Sequence, residues 1–489
     1  MNTLAKLGLI VLVVMIACSP AVVSAQAAGQ LTITTSSKEA LAAYELAREY
    51  AENVENESAR PLLDEAIQKD PSFAMAYALR AGTGGGFNSA RLDRERAVGL
   101  VGKVSAGERH LIMAQQAFAD GDVPRIKEHL GELLKLHPND KHVLYFAGNL
   151  ARTFDDDQAL QYFAQATKVD SAFAAPYNQI GYVHISKGDY KAAEHALKQY
   201  VATRPERPNP YDSYAELLLR MGRFDESIAQ YNKALEKDPK FVASLTGIAH
   251  NYLFKGDYVK ARETYKRVSV HAGAAPDRAN AQLWTAVSYV HEGKPTEALA
   301  ALDQQRVIAT KEGLIPNAIG THLDAAWILS DSGKAADARK HLEQAWKMTE
   351  DPQVPARTKN NLQRQIVMTR ALVAARAKDF STAKAEADKA KALITPELPS
   401  AVAEGHEGVL GMIALAQGDA KAALRHFEKA DPEDPYTMFY TAQAMSMGGD
   451  TAGASALYAK VANWNLNSLR YAIVRTKAQK IAGNPEGGN

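Results

Sequence analysis

The sequence predicts an all-α fold of about twelve stacked helix pairs closed by a C-terminal helix, and three observations carry that reading. Three stretches overlay at a fixed offset of 34 residues: Gly188, Gly222 and Gly256 coincide, as do Tyr190, Phe224 and Tyr258. A period of that size marks a repeated supersecondary unit. No stretch alternates apolar and polar residues long enough to suggest a sheet. Glycine and proline fall mostly between the helical stretches, where they punctuate turns.

The best-defined units are 174–207, 208–241 and 242–275. In the first, Tyr177, Ile180, Gly181 and His184 recur at helical spacing as the inner seam of a helix A. Gly181 and its counterparts Ala215 and Ala249 are small because a second helix, B, must pass close by. Gly188 and its equivalents end helix A, where a left-handed residue is least strained as glycine. Helix B carries the small row Ala193, Ser227 and Ala261, followed one turn later by Leu197, Tyr231 and Tyr265. Pro205 and Pro239 stop helix B, since proline cannot continue a helix and restricts the residue before it.

The register extends both ways from these three. Upstream, Ala47, Tyr50, Ala59, Leu63 and Ala66 fit one unit ended by Asp70-Pro71, and Tyr77 and Ala81 open another whose helix B is irregular. Ala114, Gly121, Leu130, Leu133 and Pro138 fit a third. Leu144, Gly148, Ala159, Phe163 and Ala166 fit a fourth if the turn at Asp155-Asp156-Asp157 loses a residue. Downstream, Trp284, Val287 and Ser288 open a unit with a shortened turn at Gly293-Lys294-Pro295, and further units centre on Ala338, Ala383, Ala423 and Ala454. Residues 38–464 thus form one repeat array with no visible linker, because each unit need only pack on its neighbours. Within the remainder, 465–489, the stretch Leu466 to Ile481 is expected to be a cap helix that solvates the end of the stack, followed by a polar tail.

This pattern resembles the tetratricopeptide repeat (TPR). The segments Val104 to Arg109 and Asn467 to Arg475 look like elements of exported bacterial scaffold proteins of that kind, some of them lipoproteins. The resemblance implies an α-α superhelical solenoid whose A helices line a concave groove that holds another protein or an extended peptide. It places the groove residues one and five after the tryptophan-like seam position. These are Tyr145, Asn149 and Arg152, then Asn178 and Tyr182, Asp212 and Glu216, Thr246 and His250, and Tyr289. The rows hold no lysine and two acids, so a clamp for a terminal carboxylate is not expected. Amide, tyrosine and acidic groups suit recognition of an extended segment or helix.

The N-terminus carries an export signal. Lys6 precedes the apolar run Leu7 to Ala17, which is too short for a membrane span and suits a secretory signal peptide. Cleavage after Ala25, following Val23-Ser24-Ala25, would make 1–25 the leader and 26–37 a short spacer, with no transmembrane helix in the mature chain. A second route stays open. Met15-Ile16-Ala17-Cys18 resembles a lipobox, with Met where Leu is usual, and would make Cys18 a lipidated N-terminus associated with the membrane. Cys18 is the only cysteine, so no disulfide is available to an exported chain.

Chemistry is sparse elsewhere. Gly82-Thr83-Gly84-Gly85-Gly86 has no following Gly-Lys-Ser/Thr and reads as the end of a helix A. Ser381-Thr382-Ala383-Lys384 matches Ser-x-x-Lys but lacks companion motifs, and its serine reads as a helix cap. Thirteen histidines show no metal-ligand spacing, and Asp156 and Asp157 read as solvated turn formers. Charges are interspersed, 57 basic against 56 acidic, which argues against nucleic acid, whose binding calls for a basic face or groove. No catalytic residue, metal or cofactor is expected. The expected function is an exported scaffold or adaptor that binds a protein in the cell envelope. The alternatives are an enzyme or accessory subunit acting on envelope polymers, with its site at 74–104 or 395–410, and a lipid-anchored assembly factor.

Overall fold

The computed structural model describes residues 22–23, 29–84, 87–354, 356–395 and 400–483. The apolar leader, Cys18, the cleavage junction at Ser24-Ala25 and Gly85-Gly86 of the glycine run lie outside the described residues. The chain divides into two compact units, Met1–Arg204 and Pro205–Asn489.

In the first unit, helices pair as α1 (Lys38–Glu52) with α2 (Asn56–Lys69), α3 (Ala74–Arg80) with α4 (Phe87–Gly99), and α5 (Ala106–Asp120) with α6 (Val123–Leu136). Then come α7 (Lys141–Ala151) with α8 (Asp156–Val169) and α9 (Ala175–Ser186) with α10 (Tyr190–Thr203). The second unit opens with α11 (Pro208–Arg220) and α12 (Phe224–Lys237), α13 (Val242–Phe254) and α14 (Tyr258–His271), and α15 (Ala275–His291) and α16 (Pro295–Lys311). It continues with α17 (Ile315–Asp331) and α18 (Ala335–Met348), and α19 (Ala356–Arg376) and α20 (Phe380–Ala392). The last pairs are α21 (Ser400–Ala416) with α22 (Ala420–Phe427) and α23 (Pro435–Met447) with α24 (Thr451–Ala462). A single helix, α25 (Leu469–Ile481), follows. Among the described residues that is twelve hairpins and one extra helix, the array the period predicts. The strand content described is a two-residue ribbon, Val22–Val23 against Thr34–Thr35.

Local chemistry sets the hairpin boundaries. Gly188, Gly222 and Gly256 follow the ends of α9, α11 and α13 with φ of 72°, 74° and 80°, the left-handed region glycine enters freely. The close A–B crossing is equally direct: a Cβ on Gly181 would lie 2.6 Å from Leu197 Cγ of its own helix B. Between hairpins, Asp70, Asp170 and Asp238 end α2, α8 and α12 in extended conformation. Each accepts the backbone N–H two residues on at 2.9 Å, which closes the turn into the next helix A.

Two local expectations are corrected. Asp156 and Asp157 are the first residues of α8, capped by Asp155, where carboxylates offset the helix dipole. At Ser381 the cap is instead Asp379, whose side chain accepts from Thr382 N.

The spacer is more than a spacer. Leu31 and Ile33 are buried in the first unit, and the chain around them is held by three carboxylates of that unit. Leu31 N donates to Asp140 Oδ2 at 2.8 Å, Thr34 N to Glu108 Oε1 at 2.7 Å and Ser36 N to Asp70 Oδ2 at 2.8 Å. Burial alone would raise the Asp70 pKa, but hydrogen bonds from Thr35, Ser36 and Ser72 outweigh it and hold the group well below the usual carboxylate range.

The C-terminal helix departs most from expectation. A solvating cap would bury one face on α24 and expose the other. α25 does pack on α24, yet it also packs on α15, α17 and α23, and Tyr471, Ala472, Val474 and Ala478 are all fully buried. Its segment reaches the last residue of four successive A helices. Asn465 Nδ2 donates to the carbonyl of Arg220 (3.4 Å), Arg475 to that of Phe254 (3.2 Å) and Thr476 to that of His291 (3.3 Å), while Lys477 pairs with Asp331 (2.5 Å). Cations and donors are favourable there, because the carbonyls at a helix C-terminus lack intrahelical partners and the dipole is negative.

Candidate partner-binding site

In the second unit, two positions per A helix, four residues apart and therefore on one helical face, line open space. On α11 they are Asp212 and Glu216, on α13 Thr246 and His250, and on α15 Asn280 and Trp284, all around a cavity of ≈ 450 Å³. On α17 they are Gly320 and Asp324, on α19 Gln365 and Thr369, and on α21 Gly405 and Val409, all around a second cavity of ≈ 540 Å³. The C-terminal segment separates them: Asn465 to Asn467 line the first, Ser468 to Arg470 the second.

The predicted groove residues distribute unevenly over this geometry. Asp212, Glu216, Thr246 and His250 are brought together in the first cavity. Tyr145 and Asn149 line a separate cavity of ≈ 250 Å³ in the first unit, where the Tyr145 hydroxyl donates to the Glu52 carbonyl at 3.2 Å. Burial pushes the Tyr145 hydroxyl up to about 12. Arg152 is exposed and donates to Gln179 Oε1 at 2.7 Å. Tyr182 is half-buried, and Tyr289 lies under the guanidinium of Arg262, 4.3 Å from its ring centre. Asn178 is buried, 2 % exposed, so it belongs to the packing and offers no surface.

Asn280 and Trp284 were missed, although the 34-residue offset that relates Asp212 to Thr246 leads straight on to them. Reading Trp284 as the opening of a new unit breaks that offset. The register in fact runs through the start of α15, and the extra length sits at its C-terminal end, since α15 has 17 residues where α13 has 13. The contribution of Asn465 to Asn467 had no signal in the repeat pattern.

Electrostatically the first cavity is acidic. Asp212, Glu216 and Asp277 line it against a single cation, Arg220, whose Nη2 lies 2.8 Å from Glu216 Oε1. Burial pushes Asp212 up to about 7; the Ser244 hydroxyl, donating at 2.7 Å, pulls the other way, and the neighbouring Glu216 charge adds to the rise. Burial pushes His250 down to about 4, and its ring stands edge-on to Trp284 at 4.8 Å between centroids. In the second cavity, burial likewise pushes Asp324 up to about 7. Among the described residues no group of three or more metal-ligating side chains converges, and no helix is long and apolar enough to cross a membrane.

Hairpins of this size with a side-chain-lined A-helix face define a repeat protein of the tetratricopeptide class. Family profiles described as Tetratricopeptide repeat match residues 178–241, 214–268, 246–307 and 414–478, the last match running into α25. The chain carries tetratricopeptide repeats over these residues. A curated relative, anaphase-promoting complex subunit 3 of Schizosaccharomyces pombe, is 23% identical over 194 residues, 40% of this chain. The match spans only 28% of that relative's length. Among solved structures, a tetratricopeptide repeat protein from Parabacteroides merdae covers 58% of this chain and 99% of its own at 15% identity, with a TM-score of 0.36. YrrB, described as a TPR protein with an unusual peptide-binding site, covers 37% of this chain and 91% of its own at 18% identity, with a TM-score of 0.28.

Proposed function

We propose that this interaction scaffold works in the bacterial cell envelope and holds an extended segment of a partner protein against the A-helix face of its second unit. The observation that carries the reading is the cavity at α11, α13 and α15: open, acidic, and lined by residues that the repeat places at its outward-facing positions. Asp212, Glu216, Thr246 and His250 keep part of their surface open to that cavity, so their polar groups remain available to a partner. Polar groups converging on a concave site with an aromatic wall are what recognition of a peptide requires. The envelope setting rests on the leader at residues 1–25.

Two measurements test this. Ala243 is exposed and lines the cavity, so Ala243→Trp fills the site without entering the core. Crosslinked pull-down from envelope membranes should lose the partner with that variant while helical circular dichroism stays unchanged; full recovery would move the site elsewhere. Mass spectrometry of the mature N-terminus should find either Gln26 or a lipidated Cys18, and an intact Met1 would remove the export reading.

A further inference from the structure

We infer, on the basis of the docking reading above, that the cavity between α11, α13 and α15 accepts the ammonium group of a lysine side chain carried by the partner's extended segment. The charges facing the cavity are Asp212, Glu216 and Arg220 from α11 and Asp277 from the first turn of α15; α13 contributes the uncharged ring of His250. Arg220 is already engaged, with Nη2 and Nε at 2.8 and 3.1 Å from Glu216 Oε1. Asp212 has only the Ser244 hydroxyl at 2.7 Å and, among the described residues, makes no ion pair. A carboxylate withdrawn from water without a cation is costly, and an arriving cation removes that cost.

A second feature points to a ligand independently of the carboxylates. His250 Nε2 is sealed from solvent and has no hydrogen-bond partner. Because burial keeps the ring neutral at pH 7, this nitrogen accepts a hydrogen bond in the tautomer protonated at Nδ1. An ammonium brings three donors and no acceptor, and a lysine also brings a four-carbon stem that needs apolar surface. Trp284 and Val268 supply that surface in the same cavity. A terminal carboxylate would meet an excess of like charge, and a neutral amide would leave Asp212 unpaired.

The test is calorimetric titration of the full chain with two blocked twelve-residue Gly/Ser peptides, one with a central lysine and one with a central Nε-acetyl-lysine. It is run at pH 6 and pH 8 in buffers of differing ionisation enthalpy. The lysine peptide should bind about ten-fold more tightly than its acetylated twin, gain several-fold in affinity from pH 6 to pH 8, and release protons on binding at pH 6. The isosteric Asp212→Asn should remove both the preference and the proton release, and Asp277→Asn, in the first turn of α15, should reduce the preference by a smaller factor. Equal affinity for the two peptides, a preference that survives Asp212→Asn, or no saturable heat with either peptide would overturn the assignment. Loss of the partner with Ala243→Trp alongside peptides that do not discriminate would retain the docking face and remove the lysine.

Discussion

Val54 turns the chain from α1 into α2 at φ 65°, the place where the α9, α11 and α13 hairpins carry glycine. A left-handed backbone costs an L-residue about 1–2 kcal/mol, most of all a β-branched one. Val54 is exposed, so nothing in the core depends on its side chain. Val54→Gly should therefore raise stability by about 1 kcal/mol in a denaturant melt, and an unchanged midpoint would show that the turn carries no strain. Gly247 is the opposite case. A Cβ there would lie 2.1 Å from Tyr231 Cζ, inside a ring that is itself buried. Gly247→Ala should cost about 1–3 kcal/mol through overpacking, and Tyr231→Leu in the same chain should return part of it. Ala261, fully buried on α14, belongs with these crossings, and Ala261→Leu should cost a similar amount.

Among the helices, α25 is the one whose role follows from its partners more than from its sequence. It buries Tyr471, Ala472, Val474 and Ala478, its polar groups satisfy the carbonyl ends of α13 and α15, Asn465 just before it reaches that of α11, and Lys477 pairs with the Asp331 carboxylate at the end of α17. Ending the chain after Ser468 should lower the melting temperature of the second unit and increase binding of a hydrophobic dye, since the faces of α15 and α17 beneath it would be bare. A truncated chain that melts as the full one does would make α25 an ornament of the last hairpin. The cost should be spread along the helix: Arg475→Met, which keeps the stem and removes the donors, should lose about 1–3 kcal/mol by leaving the Phe254 carbonyl unpaired. A helix following the last hairpin was legible in the sequence at the right place. Its binding surface was not, because amphipathicity states that a face is buried and leaves open against what.

Across the whole molecule, titration couples the cavities to stability. His250 and His322 are held down at about 4 and His291 at about 3, all by burial. A base whose folded pKa lies below its unfolded value of 6.5 contributes stability above 6.5 and loses it as pH falls towards 4. Asp212 and Asp324, held up at about 7 by burial, act with the opposite sign. The folded chain takes their protons first, so lowering the pH from 7 to 4 relieves the strain of burying them charged. His129 and His341 are held down by burial as well, so the losses outnumber the gains and stability falls as the pH drops from 6.5 towards 4. Asp212→Asn with Asp324→Asn should raise the melting temperature at pH 8 and steepen the loss between pH 6.5 and pH 4.5. A double variant that parallels the wild type at every pH would show that these carboxylates titrate normally.

The sequence by itself determined the hairpins. Their boundaries are set by groups within a few residues of one another: the glycine that ends helix A, the aspartate that caps or closes a turn, the small residue facing its own helix B. The outward-facing A-helix positions were legible as far as Thr246 and His250, and the same 34-residue offset, followed one helix further, arrives at Asn280 and Trp284. Only the tertiary structure decided what covers the A-helix faces. Leu31 reaches Asp140, 109 residues away, and Arg475 reaches Phe254 across 221. Asn178, at a position the period marks as outward, is buried all the same. Such contacts join surfaces that are separately apolar or separately polar, and the period records each surface without recording which two meet, since contacts at long separation are selected by shape and by the carbonyls and carboxylates left unpaired after the hairpins have formed.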